Sequence, residues 1–453
     1  MITLSSVRGH IERHKSAYFD GIVGLFYVWG VWEHLPYAGG MIYSDLDEVF
    51  QSRFCPSLFP HCYLGIPYVN VFVEYPLLTG FFMWSMGLLA KVFSLWPFQS
   101  FITNYYGYTA ILLLIPTVLL IQDTLKIADI LKIRQKHKRT LLFLVATPSF
   151  VFMLLLNWYI IGVWLATFGL RKFLEGSRWS SGILLGLSAA ANLVTAVPAL
   201  GMLFGARNWR ERIQFLIGAA ISWGAVYGAV LILNSFPHSY LTTQTNSSGV
   251  VQNFPFMFPN TSFISNFLSY NYNWYIEGSW MLAFMSNLNP LRHVIFPTLF
   301  LSLCGIITFQ GIRKYSNEIN TELDRAHLIL TMSWLFTFAF LFSTYVCTPQ
   351  MNMILLPFFV LMPVVRYYPE FLAFDIVNAL VIVWGFSAPL HFIGLSLPPH
   401  TDFGPIWVSQ IQFLAVIRSF WLGKFLIFDG LLFPHKFPAE QLSGNVFPKA
   451  VPE

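Results

Sequence analysis

The sequence predicts an all-α, polytopic membrane protein of roughly 11–13 transmembrane or re-entrant helices. Three observations predict it. First, hydrophobic residues make up 56% of the 453 residues and charged residues only 10%, whereas a soluble domain carries about a quarter charged residues. So few charges cannot cover a water-facing surface of this size, which excludes an ordinary soluble enzyme, a disordered chain and a fibrous one. Second, apolar runs of near-spanning length recur at 17–36, 76–95, 101–122, 140–157, 158–174, 180–206, 213–234, 294–312, 328–346, 349–365, 371–390 and 406–427. Third, the basic residues behind the net charge of +5 gather in a few of the loops between these runs. That clustering fits basic cytoplasmic loops and carries no nucleic-acid module.

The elements follow in order. Arg8, Arg13 and Lys15 place the N-terminus inside. The apolar run from Tyr18 leads into an acidic loop and not into a small-residue cleavage site, so no cleavable signal peptide is expected. Glu33 and His34 end the first helix; ionisable groups there are either functional or within reach of water. The loop 37–74 lies outside, with Arg53 its only Lys or Arg. Its Cys55 and Cys62 are equally compatible with a disulfide and with two thiols. The loop 123–139, with Lys126, Lys132, Arg134, Lys136, Lys138 and Arg139, lies inside. Two full crossings between these loops give the wrong parity. Either 76–95 or 101–122 is re-entrant, or Pro116 splits the second.

From residue 140 onward the alternation is regular. Arg171, Lys172 and Arg178 lie inside, as do Arg207, Arg210 and Arg212, and then Arg313, Lys314 and Arg325. The segments 235–292, 347–350 and 391–405 lie outside. The 180–206 run breaks between Asn192 and Pro198, giving two short helices that meet at the outer face. Such breaks are tolerated where the freed backbone lines a cavity. Loop 235–292 holds the acceptor sequons Asn246-Ser247-Ser248 and Asn260-Thr261-Ser262, which suit an outward face. Cys304 and Cys347 are packing residues. Asp375, close to Glu370, reads as an inner-interface acid. Residues 1–428 form one membrane unit, and 429–453 a cytoplasmic tail.

Chemistry concentrates at the outer ends. Tyr43-Ser44-Asp45-Leu46-Asp47-Glu48 places three acids within four residues just beyond the first helix. A carboxylate there can take a hydroxyl proton, a pair can hold a divalent cation, or the stretch is a solvated acidic loop. Glu74-Tyr75-Pro76 opens the next apolar run. Pro suits a first helical turn, and Glu74 is either a substrate contact or a helix N-terminal charge. Asn157-Trp158 sits at a turn, Asn192 at the break, and Thr348-Pro349-Gln350 at an outer helix end. Arg53 and Arg292 are the two basic residues on the outer face. Arg presents a planar fork of donors to phosphate, and His293 adjoins Arg292; the alternative for Arg292 is an interfacial anchor.

These stretches, in this order from about residue 20 to 366, resemble the GT-C superfamily of membrane glycosyltransferases. The nearest branch is that of polyprenol-phosphate-mannose-dependent mannosyltransferases. The counterparts are Asp45, Tyr75-Pro76-Leu77-Leu78, Asn157-Trp158-Tyr159, Asn192 to Pro198, and Thr348-Pro349-Gln350. Tyr159 stands where an acid is usual, and Asn192 where a Lys would hold phosphate. The resemblance implies an inverting transfer of a hexose, mannose first, from a polyprenyl- or dolichyl-phosphate sugar to a lipid or glycan acceptor. Asp45 is then the base, with Asp47 its competitor. Arg292, with His293 and Arg53 in support, stabilises the leaving phosphate. Glu74, Tyr75, Asn157, Asn192 and Gln350 line the substrate. No cofactor is required, and a divalent cation is optional. The setting is a multi-pass protein of a prokaryotic, archaeal-type plasma membrane, with the endoplasmic reticulum as the alternative. Two other classes stay open. One is a lipid-linked sugar flippase or transporter, although the chain lacks the paired halves of many transporters. The other is a catalytically silent subunit with the same fold, which the departures at Tyr159 and Asn192 would suit.

Overall fold

The computed structural model describes residues 15–34, 44, 46, 50, 54, 64–67, 73, 75–93, 101–133, 147–235, 292–315, 321–344, 349–361, 368–386 and 405–432. All regular elements among them are helical. They are α1 (Lys15–Glu33), α2 (Leu77–Val92), α3 (Phe101–Ile130), α4 (Pro148–Met153), α5 (Tyr159–Leu174), α6 (Arg178–Ala191), a 3-10 turn (Leu193–Ala196) and α7 (Ala199–Gly205). Then come α8 (Trp209–Ser235), α9 (Arg292–Tyr315), α10 (Glu322–Ser343), a 3-10 segment (Pro349–Leu355), α11 (Leu356–Leu361), α12 (Tyr368–Phe386) and α13 (Pro405–Lys424). The last continues as a π-helical turn, Phe425–Leu432, with Gly430 packed against Trp334 and Leu335 of α10.

Among the described residues, three helices are long and apolar enough to cross a membrane: α3, the stretch Phe296–Arg313 of α9, and α10. Their surfaces agree with that length. α3 buries Tyr105, Leu113, Leu120 and Ile127 but exposes Ile111, Leu114, Ile115 and Val118. α9 exposes Leu301, Phe309 and Ile312, and α8 exposes Ile213, Leu216, Ile217 and Ile221. Apolar faces this extensive are unstable in water and natural in lipid. α10 differs, being buried almost throughout, and is the central post of the bundle.

α3 runs unbroken through Pro116 for 30 residues. Pro removes one helical N–H, the one that would reach Leu112 O, and the helix continues past it. Close packing against neighbouring helices makes Pro tolerable in a buried apolar helix, and Pro116 is buried. Pro116 therefore does not split this segment. The helix also carries on past the expected boundary at 122, so Asp123 and Lys126 are helical. Asp123 pairs with Arg171 of α5 at 3.1 Å and accepts from Trp164 Nε1 at 3.1 Å. Arg178–Glu211 (3.1 Å) and Arg207–Glu322 add to an ionic end of the bundle.

α2 is the other half of the parity question. Its first turn follows Tyr75, whose ring meets Trp158 just before α5. Beyond its last turn, Phe93 O accepts from Tyr108 on the N-terminal half of α3. A 16-residue helix is about 24 Å long, and this one runs from the start of α5 to the N-terminal half of α3. Between them Gly87 lets Phe50 against the helix, where a Cβ would stand 2.8 Å from the ring, and Phe50 stacks on Tyr105 with centroids 3.5 Å apart.

Close helix contacts depend on small residues. Gly182 and Gly186 of α6 face α8, where added Cβ atoms would strike the backbone of Phe215 and Ala219. Gly201 of α7 meets the backbone of Ser333 on α10 in the same way, and Gly205 meets the Ile329 side chain. This is the small-xxx-small device that lets apolar helices approach without a hydrophobic driving force. Gly186→Leu is expected to cost at least about 3 kcal/mol, the upper range of overpacking, because backbone and not a flexible side chain must give way. A fall in the detergent-melting temperature relative to Gly224→Leu, whose Cβ meets open space, checks it.

Candidate functional site

The site grows from the turn 154–158. Thr147 caps α4, with Pro148 at its first position. The chain then turns through Leu154–Trp158 and enters α5. Asn157 is buried, and its Oδ1 accepts from Tyr159 N at 2.9 Å, so the side chain shapes the turn. His34, at the end of α1, holds the same region. Its Nε2 lies 2.9 Å from Phe152 O, a carbonyl that can only accept, so this nitrogen carries the proton.

Ser44 reaches this turn from the chain beyond α1. Its hydroxyl donates to Leu155 O at 2.7 Å and accepts from Leu46 N at 3.1 Å. Ser44 and Leu46 are both buried, so the chain is pinned immediately before and after position 45. Ser44→Ala is expected to remove about 1 kcal/mol of stability and to release the stretch between them. Faster limited proteolysis in that stretch, with α3 left intact, is the check.

Tyr75 meets Trp158 edge-on, with centroids 5.1 Å apart at 78°. One turn on, the Thr79 hydroxyl donates to Ala191 O at 2.8 Å, which joins the start of α2 to the break after α6. At that break Asn192 is extended, and its Oδ1 accepts from Val194 N at 3.0 Å. Thr195 locks the turn through Ser188 Oγ (2.7 Å) and Asn192 O (2.7 Å), resting in the space left by Gly162. The 3-10 segment 349–355 packs against α4, α5 and the 193–196 turn, carrying Gln350 in with its side chain buried.

The structure thus brings together Tyr75, Asn157, Asn192 and Gln350, and pins the residues flanking Asp45. Asp45, Asp47, Arg53 and Glu74 lie outside the described residues. Arg292 and His293 open α9, and their side chains also lie outside the description. Three buried polar atoms in this cluster have no hydrogen-bond partner among the described residues: Trp158 Nε1, Gln350 Oε1 and Asn352 Oδ1. Groups of this kind are costly unless something fills them.

A polar hub behind the cluster was not anticipated. Asn378 of α12 is fully buried and donates to Ser149 Oγ (2.9 Å) and Pro349 O (3.1 Å). Its Oδ1 accepts from Asn352 Nδ2 (2.6 Å) and Arg418 NH1 (3.3 Å). Asp375, one turn earlier, accepts from Ser149 N at 2.9 Å. Asp375 is 1% exposed and Arg418 0%. Asp375 is therefore closed off from water, because the N-terminus of α4 covers it. The sequence did hold a signal: Asp375 and Asn378, three apart on one helix face, and Arg418, each inside an apolar run.

No family model, curated protein or solved structure matches this chain.

What the cluster can do follows from its own groups. Trp158 offers a donor, Gln350 and Asn352 offer acceptors, and Tyr75 and Trp158 offer apolar ring surface. That combination suits a ligand with both hydroxyl hydrogens and hydroxyl oxygens. Among the described residues, no group of three His, Cys, Asp or Glu side chains is placed to hold a metal ion.

Proposed function

We propose that this chain is an inverting glycosyltransferase. It moves a hexose, mannose in the first instance, from a polyprenyl- or dolichyl-phosphate sugar to a lipid or glycan acceptor. The work is done at the extracytoplasmic face of a multi-pass membrane protein, in a prokaryotic plasma membrane. In this reading the ionic end of the bundle is cytoplasmic, and α2 lies across the outer end without crossing. That accounts for the parity of the loops on either side.

The observation that carries the proposal is convergence. Stretches between residues 44 and 355 that resemble one enzyme class meet around the turn 154–158. They meet where Trp158 Nε1, Gln350 Oε1 and Asn352 Oδ1 lie buried with no hydrogen-bond partner among the described residues. Asp45 takes the proton from the acceptor hydroxyl as the oxygen attacks the anomeric carbon. The anomeric C–O bond to phosphate breaks, and lipid phosphate leaves with the bonding pair. One base suffices for such a single displacement. Arg292 stabilises the developing phosphate charge, and no metal is needed for that leaving group.

A silent subunit with this fold is the second reading. One observation favours it: the Oδ1 atoms of Asn157 and Asn192 are already engaged in their own turns. The deciding experiment uses purified protein in lipid, radiolabelled polyprenyl-phosphate mannose and a membrane lipid extract as acceptor pool. Transfer of label to the extract is expected. Its absence with every donor sugar tried overturns the enzyme in favour of the silent subunit or a lipid-linked sugar transporter.

A further inference from the structure

Asn378 settles the orientation of a second amide. Pro349 O can only accept, so the atom of Asn378 facing it at 3.1 Å must be Nδ2. The opposite atom is then Oδ1, which receives the guanidinium of Arg418 at 3.3 Å and Asn352 at 2.6 Å. Asn352 must therefore present its Nδ2 to the hub. Its Oδ1 is left with no partner among the described residues, on a residue 3% exposed. An amide flip cannot relieve this, because it would set two oxygens 2.6 Å apart. Two residues earlier on the same 3-10 segment, Gln350 Oε1 is in the same condition on a residue 7% exposed. Both oxygens belong to the segment that packs against α4, α5 and the 193–196 turn.

We propose that Asn352 is a sugar-binding residue: its Oδ1, oriented by Asn378 and Arg418, accepts a hydrogen bond from one hydroxyl of the donor hexose. Asn378 and Arg418 are positioning residues and touch no substrate. The inference rests on the proposed glycosyl transfer and deepens it. It adds that the site reads individual hydroxyls and not merely the apolar face of the ring. A binding site built to pair a hydroxyl discriminates strongly against an analogue that lacks it, because its own buried acceptor is then left unpaired.

The test measures equilibrium binding of dolichyl-phosphate mannose and its 2-, 3-, 4- and 6-deoxy analogues to the full chain in lipid nanodiscs. Wild type and Asn352→Ala are compared. Wild type is expected to lose about 10-fold or more in affinity for one deoxy analogue, the order of one buried hydrogen bond. Asn352→Ala binds that analogue and the parent equally well and keeps the wild-type preferences at the other positions. If wild type binds the parent but Asn352→Ala leaves every preference unchanged, the assignment of Asn352 is overturned while the glycosyl-transfer reading stands. If wild type ignores all deoxy positions equally, the assignment also falls, and this result needs no variant. If wild type binds no lipid-phosphate sugar, the reading itself falls and the assignment goes with it.

Discussion

Asp45→Asn is expected to lower transfer from lipid-phosphate mannose by about 10²–10⁴-fold, the contribution of a positioned general base. The substitution changes little else. Asn matches Asp in size, and the chain on either side is held by contacts that do not involve position 45. Ser44 remains bonded to Leu155 O and Leu46 N, and Leu46 remains buried. Donor affinity is therefore expected to stay near wild type while the turnover rate falls. That split separates a lost base from a lost binding contact. The acid limb of the pH–rate profile should vanish with the carboxylate. Asp47→Asn is the necessary companion. If Asp47→Asn abolishes transfer and Asp45→Asn does not, the base is Asp47. If both variants transfer as wild type does, the acidic stretch is a solvated loop and Glu74 becomes the next residue to change.

Asn378→Leu is expected to be the most destabilising single change in the described bundle. It removes four hydrogen bonds at once, to Ser149, Pro349, Asn352 and Arg418. Each buried group stranded in this way costs about 1–3 kcal/mol, so at least about 4 kcal/mol is expected. That is a large fraction of the roughly 5–15 kcal/mol of a folded domain. Asn378→Asp keeps the acceptor for Asn352 and Arg418 but sets an oxygen against Pro349 O, and it should fall between Leu and wild type. Thermal unfolding in detergent, followed by aggregation onset, ranks the three. Equal stability of Asn378→Leu and wild type would mean that the hub contributes nothing to the fold.

Single residues also show where sequence and structure part. Asn192 reads as a substrate contact because it stands at a helix break, and the break is where it was expected. Its carbonyl oxygen, however, caps the next turn, which an isolated Asn in a sequence does not reveal. Pro116 reads as a possible split, yet α3 passes through it, with Pro116 buried against its neighbours. Asp375 reads as interfacial because Glu370 is near in sequence. It is instead covered by the start of α4, 226 residues away along the chain.

The sequence by itself determined the class of the molecule: helical, with segments apolar enough for lipid and few charges to spare. That follows from composition and from apolar runs of near-spanning length, which are local properties written in neighbouring residues. It also marked the stretches at helix ends where polar residues gather. Only the tertiary structure decided that Tyr75 meets Trp158, that Ser44 bonds the turn 154–158, and that Asn352 and Arg418 belong to one hub. Those facts depend on pairings such as Asn378 with Ser149, 229 residues apart. A single hydrogen bond across such a distance leaves no periodic trace in the chain. Its partners are ordinary polar residues until the fold brings them to within 3 Å.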